Sequence, residues 1–261
     1  MTATAIRDAV GPDLRATLKA LKLGQMLDTL PDRLTLARQQ HMAHADFLQL
    51  VLADEVTRRD AKSASLRSRA AGLDPGMRID TWDESAAIRY DRQLWNELVS
   101  LRFLDAAHGA LILGPVGTGK THLACALGHI AIRRRRTVLM TPAARLFKKL
   151  KAARLDNTLD AEMRRLTGIE LLILDDLALT PLDATETADF YQLCVERHRK
   201  RATIVTSNRT AEEWLAVMAD PLLAQSAVDR LTSTCYELVI EGESYRRRQK
   251  PGLPEPTENP R

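Results

Sequence analysis

One segment of this chain reads Gly114-Pro115-Val116-Gly117-Thr118-Gly119-Lys120-Thr121 and follows the apolar run Ala110–Leu113. Its glycines allow consecutive backbone N–H groups to curl around phosphates, where a larger residue would clash. Lys120 then reaches the β- and γ-phosphate oxygens, and the Thr121 hydroxyl completes the shell of a Mg²⁺ ion. Helix-forming residues follow to Arg133 and direct the positive end of a helix dipole at the phosphates. The segment predicts a site for a nucleoside triphosphate and Mg²⁺.

Composition limits the class of protein. The chain has 261 residues, 45% hydrophobic and 28% charged, which is enough for one large domain and a small one. Its cysteines, Cys125, Cys194 and Cys235, form no CxxC pair, which argues against a zinc site and a disulfide framework and favours the cytoplasm. No apolar stretch approaches the roughly 18 residues that cross a bilayer, so we expect no membrane partner. A net charge of +4 permits nucleic-acid binding without establishing it.

Glycine and proline at 72–76 interrupt a long helical pattern and mark a domain boundary. We predict a small all-helical domain at residues 1–75, with one helical segment from about residue 32 to 71, for contact with DNA or a partner. The basic stripe that includes Arg58 and Arg59 is either a solvated helix face or a DNA contact. Residues 76–245 then form the nucleotide-binding domain, and residues 246–261 form an extended or disordered basic tail.

Apolar runs separated by segments of helical length follow the boundary. Strands separated by helices indicate an α/β fold, in which a mostly parallel sheet carries helices on both faces. The runs interpreted as strands are Ala110–Leu113, Thr137–Thr141, Leu171–Asp175, Thr203–Thr206 and Tyr236–Ile240.

Two carboxylates end the third of these strands, at the sheet edge where ligands bind in α/β folds. Asp175 suits the coordination of Mg²⁺, mainly through its water shell, and Asp176 suits the polarisation of the attacking water. Asn208 follows the fourth strand and is a candidate sensor of the terminal phosphate. Arg230 is either an arginine finger for a neighbouring subunit or one half of a structural pair with Asp229.

The order GPVGTGKTHLA, LLILDDLAL, TIVTSN, DPLLAQSAVDRL and VIEGESYR resembles the IstB-type ATPases, helper proteins encoded beside the transposase of bacterial insertion sequences. These are similar to the DnaC-type helicase loaders and DnaA-type initiators of the AAA+ superfamily. The resemblance covers nearly the whole chain. It implies a P-loop AAA+ fold with strand order 5-1-4-3-2, ATP and Mg²⁺ as cofactors, and ATP-dependent self-assembly on duplex DNA. The resemblance also implies that the amino-terminal helical domain contacts DNA and partner subunits.

The resemblance also assigns roles to single residues. Asp176 is one methylene shorter than the glutamate common in AAA+ proteins, so we expect slow hydrolysis, which suits a switch. The fifth strand leaves little room for a helical lid, and Arg246 is a candidate substitute for the lid's sensor arginine. Trp82 falls in a connector that runs past the adenine base in related ATPases, and both stacking and plain packing stay open. The assigned residues are Lys120 and Thr121 for phosphate and Mg²⁺, Asp175 and Asp176 for the Walker B pair, Asn208 for sensor 1 and Arg230 for the finger.

Basic residues crowd the helix after the second strand, a position that initiator-like proteins direct towards DNA. They are Lys148, Lys149, Lys151 and Arg154. With only 4% aromatic residues, phosphate contacts to duplex DNA fit better than base stacking on single strands. The leading hypothesis is an ATPase that assembles on duplex target DNA, recruits or stimulates a transposase, and resets on hydrolysis. The alternative is a helicase loader that prefers single strands.

Overall fold

The computed structural model describes residues 10–83 and 88–245, and its main sheet has five parallel strands. The strand order is 5-1-4-3-2, so the predicted topology is confirmed. Each predicted strand is present within one residue at either end. The strands are β1 (Gly109–Leu113), β2 (Val138–Pro142), β3 (Leu171–Asp175), β4 (Ala202–Ser207) and β5 (Cys235–Val239).

Helices connect the successive strands, as a parallel sheet requires. Every residue of β1, β3 and β4 is buried, which indicates that both faces of the central strands are covered. The helices of the described residues are α1 (Pro12–Ala20), α2 (Leu30–Gln39), α3 (His44–Ala70), α4 (Arg92–Ser100), α5 (Arg102–Asp105), α6 (Lys120–Arg133), α7 (Ala143–Leu155), α8 (Leu159–Gly168), α9 (Ala184–Arg197), α10 (Ala211–Leu215) and α11 (Pro221–Thr232).

Local sequence fixes where the helices beside the site begin. Asp183 accepts a hydrogen bond from the backbone N–H of Glu186, whose side chain bonds back to the Asp183 N–H, and this capping box starts α9. Asp220 caps α11 by accepting from two backbone N–H groups, and Pro221 occupies the first helical turn. These helices pack their apolar faces on the sheet around Phe190 and Trp214, which are fully buried.

The chain forms two compact units that divide between Leu66 and Arg67. The first unit has its own small core of buried residues, Val10, Leu18, Met26, Leu30 and Val51. The expectation of a single helical segment from residue 32 to 71 is wrong, because α2 ends at Gln39 and α3 begins at His44. His41 lies between them in the left-handed region (φ 48°), a conformation that ends a helix.

Residues 67–76 pack within the second unit. The backbone N–H of Met140 in β2 donates to the carbonyl of Ala71 at 2.7 Å. His129 of α6 lies 2.8 Å from the Asp74 carbonyl through Nε2 and 3.2 Å from the Ser68 hydroxyl through Nδ1. These contacts fix the end of α3 and the following turn beside the helix that carries the phosphate loop. The predicted tail at 246–261 lies outside the described residues.

Candidate nucleotide site

The phosphate loop lies between β1 and α6. Its three glycines have positive φ angles of 146°, 85° and 92° at Gly114, Gly117 and Gly119, a region that other residues rarely adopt. Lys120 is 6% exposed, and its ammonium donates to the carbonyls of Gly114 and Pro115 at 2.8 Å each. The lysine charge is therefore held inside the curve of the loop, where phosphate oxygens are expected.

The predicted Mg²⁺ ligands meet at the end of β3. The Thr121 hydroxyl donates to Asp175 Oδ1 at 2.9 Å, and the buried Thr206 hydroxyl donates to the same oxygen at 2.6 Å. Within residues 10–83 and 88–245, no group of three His, Cys, Asp or Glu side chains is placed to hold a metal alone. One hydroxyl and one carboxylate fit Mg²⁺ in a nucleotide site, where water and phosphate supply the other ligands.

Thr206 was not predicted as a functional residue, although it immediately precedes the Ser-Asn pair. Its hydroxyl oxygen also accepts from the backbone N–H of Asp176 at 2.9 Å. Thr206 therefore fixes both the carboxylate of Asp175 and the backbone of Asp176, and it links the ends of β3 and β4. Thr206 lies within β4, so its contact with Asp175 can be recognised only once β3 and β4 are known to be neighbours.

Asp176 and Asn208 line one cavity of about 510 Å³ together with residues 116–122 of the phosphate loop and α6. Asp176 has a left-handed backbone (φ 56°), which turns the chain out of the strand and exposes the side chain. Asn208 follows β4 and is also exposed. The cavity therefore brings the predicted catalytic carboxylate and the predicted sensor amide to the loop that would hold the triphosphate.

Aromatic residues form another part of the cavity wall. Trp82 packs edge-on against His122, with ring centroids 5.1 Å apart, and against Tyr90 at 6.3 Å. His122 Nε2 lies 2.8 Å from the carbonyl of Arg78, so this histidine also holds the linker beside the cavity. Tyr245 also lines the cavity, although no role was predicted for it from its sequence motif.

Arg230 lies far from the phosphate loop of its own chain. It is near the end of α11, and its carbonyl accepts from His198 Nδ1 at 2.9 Å, just before β5 begins. The guanidinium donates to the Ser226 carbonyl and lies 5.7 Å from the ring of Tyr191. The loop follows the other end of β1, about five strand residues or ~16 Å away. The finger role stays a prediction and requires a second subunit.

The predicted DNA-binding side chains on α7 are partly neutralised within the chain. Lys149 pairs with Glu162 at 2.8 Å, and Lys151 pairs with Asp183 at 2.6 Å and Glu186 at 2.8 Å. Arg154 pairs with the buried carboxylate of Asp189. Lys148 is exposed. The role of this cluster in DNA binding stays a prediction, but the pairs reduce the charge that it offers to phosphate.

Arg58 and Arg59 share one carboxylate in the first unit. Both guanidinium groups donate to Glu55 at 2.7 Å, and the Glu55 side chain is 4% exposed. The bonds from Arg58, opposed by desolvation and aided by Arg59, lower the pKa of Glu55 from its ordinary value of 4.5 to about 2. The arginines thus have a structural role in this unit, and a DNA role for them stays a prediction.

This pair of ion contacts predicts a pH dependence of stability. The pKa of Glu55 is lower in the folded chain than in the unfolded chain. Its contribution to the free energy of unfolding is therefore complete above pH 4.5 and is lost as the pH falls towards 2. We expect Glu55→Gln to lower the urea midpoint of the full chain at pH 7, and to differ little from wild type near pH 2. Far-UV circular dichroism at both pH values measures the two midpoints. An equal deficit at both would contradict the assignment.

Comparison with known proteins identifies relatives over most of the chain. Residues 16–252 match the family model described as IstB-like ATP binding protein. The chain is 35% identical to Rv3427c of Mycobacterium tuberculosis, named as a candidate ATP-binding protein of an insertion sequence, over 92% of this chain and 96% of that one. It is 31% identical to the corresponding protein of insertion sequence IS21 from Pseudomonas aeruginosa, over 91% and 90%.

Solved structures of lower identity share the fold. The DnaC helicase loader superposes with a TM-score of 0.51 at 19% identity, over 57% of this chain and 87% of that one. DnaA from Aquifex aeolicus bound to AMPPCP gives a TM-score of 0.52 at 22% identity, over 63% and 50%. Among the described residues, no helix has both the length and the hydropathy of a membrane span. With the family model matched across most of its length, the chain belongs to the IstB-like ATP binding protein family.

Proposed function

We propose that this protein is an ATP-dependent DNA-binding regulator of transposition. ATP-bound subunits assemble on duplex target DNA and recruit or stimulate the transposase of the same element, and hydrolysis resets the assembly. The observation that carries the proposal is the cavity at the phosphate loop, which Lys120, Asp176 and Asn208 line together. The insertion-sequence relatives favour this role over that of a helicase loader.

ATP with Mg²⁺ is the cofactor that the site supports best. Lys120 supplies a buried positive charge, and backbone N–H groups at the start of α6 face the same space. Thr121 and Asp175 would hold Mg²⁺, Asp175 mainly through the water shell of the ion, and the ion would neutralise charge that develops on the phosphates. Asp176 would orient or deprotonate the attacking water, and Asn208 would contact the terminal phosphate. Each group lies at the carboxyl ends of neighbouring strands.

Assembly completes the site in this proposal. Arg230 lies at the opposite sheet edge from its own loop, so it serves the terminal phosphate of an adjacent subunit. ATP then favours assembly because the contact between guanidinium and phosphate exists only between subunits. Isolated subunits hydrolyse ATP slowly, and assembly on DNA accelerates the reaction.

The exposed, unpaired cations of α7 are the side chains best placed to contact DNA phosphates. Arg145 and Lys148 lie three residues apart, on the same face of the helix, and both are exposed. Within the described parts of the chain, neither side chain has a carboxylate at salt-bridge distance. Their positive charges are therefore available to DNA, whereas those of Lys149, Lys151 and Arg154 are paired with carboxylates of the same chain.

The experiment is a salt titration of duplex binding in the presence of ATP and Mg²⁺. We expect the double variant Arg145→Ala/Lys148→Ala to bind a duplex more weakly and to reduce the slope of log affinity against log salt by about 1.8. The charge-matched control is Arg199→Ala/Arg201→Ala, which removes two exposed arginines from the turn before β4. Fluorescence anisotropy of a labelled duplex gives both slopes.

One result would reject the proposed DNA contact, and another would reject the proposed function. An unchanged slope in the α7 variant would exclude that helix as the DNA contact. Wild-type binding that prefers single strands and does not respond to ATP would favour the helicase loader.

A further inference from the structure

The last described segment of the chain lies on the phosphate loop. After β5, the N–H of Ile240 donates to the carbonyl of Leu113 at 2.7 Å, and the N–H of Tyr245 donates to the carbonyl of Gly117 at 2.9 Å. Between these bonds, Glu241 and Gly242 pair with Arg89 and Ile88 in a short antiparallel ladder. The segment 240–245 therefore joins the linker before α4 to the loop that would bind phosphate.

Two loop glycines are required by this contact. A Cβ on Gly114 would lie 2.2 Å from the carbonyl oxygen of Ile240, and a Cβ on Gly117 would lie 2.1 Å from the Ser244 hydroxyl. Both distances are far below van der Waals contact, so any larger residue would displace the segment from the loop. Ser244 thus lies directly against the phosphate loop, next to Tyr245 in the chain.

The strand order indicates which part of a nucleotide faces this segment. Asp176 and Asn208 follow β3 and β4, which lie on one side of β1. Tyr245 follows β5, which lies on the other side of β1. If the loop holds a triphosphate with its terminal phosphate towards Asp176 and Asn208, the nucleoside lies on the other side of β1, towards Tyr245.

One unsatisfied polar group belongs to a residue that lines the cavity, and another belongs to a residue packed against it. Within the described residues, three buried side-chain polar atoms have no hydrogen-bond partner, and two of them are Trp82 Nε1 and Tyr90 Oη. Trp82 lines the cavity together with Tyr245, and Tyr90 packs against Trp82. Buried donors without partners are uncommon in proteins, and here they adjoin a cavity that is large enough for a nucleoside.

We propose that Tyr245 contacts the nucleoside of the bound nucleotide, in the cavity that Trp82 also lines, and that Ser244 positions it there. The inference rests on the proposed ATP site and adds a specificity-determining residue to it. Because the segment is bonded to Gly117, nucleoside binding at Tyr245 also fixes the short ladder to residues 88 and 89. Tyr245 is 38% exposed, so a planar base has access to its ring.

The test compares ATP with inorganic tripolyphosphate, which offers the phosphates without the nucleoside. We expect Tyr245→Ala to weaken ATP binding by at least about fivefold, since loss of base stacking on an aromatic ring costs about 5- to 150-fold in affinity. Its affinity for tripolyphosphate should equal that of wild type, and Tyr245→Phe should restore ATP binding. Tyr236→Ala is the matched control, because it removes a tyrosine from the other end of β5 beside His108. Isothermal calorimetry gives each affinity.

Two results would overturn the inference: an unchanged preference for ATP in Tyr245→Ala, or an equal loss for both ligands. The second would mean that Tyr245 only maintains the loop. Failure of the proposed ATP site appears differently, because wild-type protein would then bind neither ligand, and Lys120→Ala would change nothing.

Discussion

Lys120→Ala is expected to abolish the stabilisation of this protein by ATP. A ligand at 100 times its dissociation constant stabilises the folded state by about 2.7 kcal/mol. For a domain of this size, that free energy raises the melting temperature by roughly 5–11 °C. The variant removes the buried ammonium that the loop carbonyls of Gly114 and Pro115 now hold. Without it, the triphosphate loses its main cation in the loop, and the ATP-dependent shift should disappear.

The measurement is a thermal unfolding scan with and without ATP and Mg²⁺. The compared quantity is the shift that ATP causes, because loss of the Lys120 hydrogen bonds can also lower the melting temperature without ligand. Lys200→Ala is the control, since Lys200 is 65% exposed and lies in the turn before β4. A full shift in Lys120→Ala would remove the basis for an ATP site at this loop.

The sheet and the centre of the site could be predicted from sequence because their signals are local. The phosphate loop directly follows β1, and the two aspartates end β3, so each motif carries its own strand. Parallel strands bring those ends to one edge, which explains why Asp175 and Thr121 are hydrogen bonded across 54 residues of chain.

The ion pairs of the basic residues on α7 could not be predicted, because the carboxylate partners are distant in sequence. Lys151 and Asp183 are 32 residues apart, and Arg154 and Asp189 are 35 apart. A charge pattern on one helix cannot show which carboxylates other helices bring beside it. The position of Tyr245 could not be predicted either, because it depends on the hydrogen bond from its N–H to the Gly117 carbonyl, a contact between segments that are distant in sequence.

Arg230→Ala is expected to remove ATP hydrolysis while leaving ATP binding intact. Arginine fingers accelerate phosphoryl transfer by about 10³- to 10⁵-fold, and a loss of this size is measurable as phosphate release. Binding should persist because Arg230 lies at the sheet edge opposite its own loop. Arg230→Lys tests the chemistry, since lysine keeps the charge but not the planar fork that matches phosphate oxygens, and it should stay strongly impaired.

Mixing two inactive variants tests whether Arg230 acts between subunits. Lys120→Ala has no working phosphate loop but keeps its arginine, and Arg230→Ala keeps its loop but lacks the finger. At an interface where Arg230 of the first variant meets the loop of the second, one complete site forms. We therefore expect phosphate release to return when the two are combined with duplex DNA, with a maximum near equal amounts. If the mixture stays as inactive as Arg230→Ala alone, although both variants assemble, Arg230 does not serve a neighbouring site.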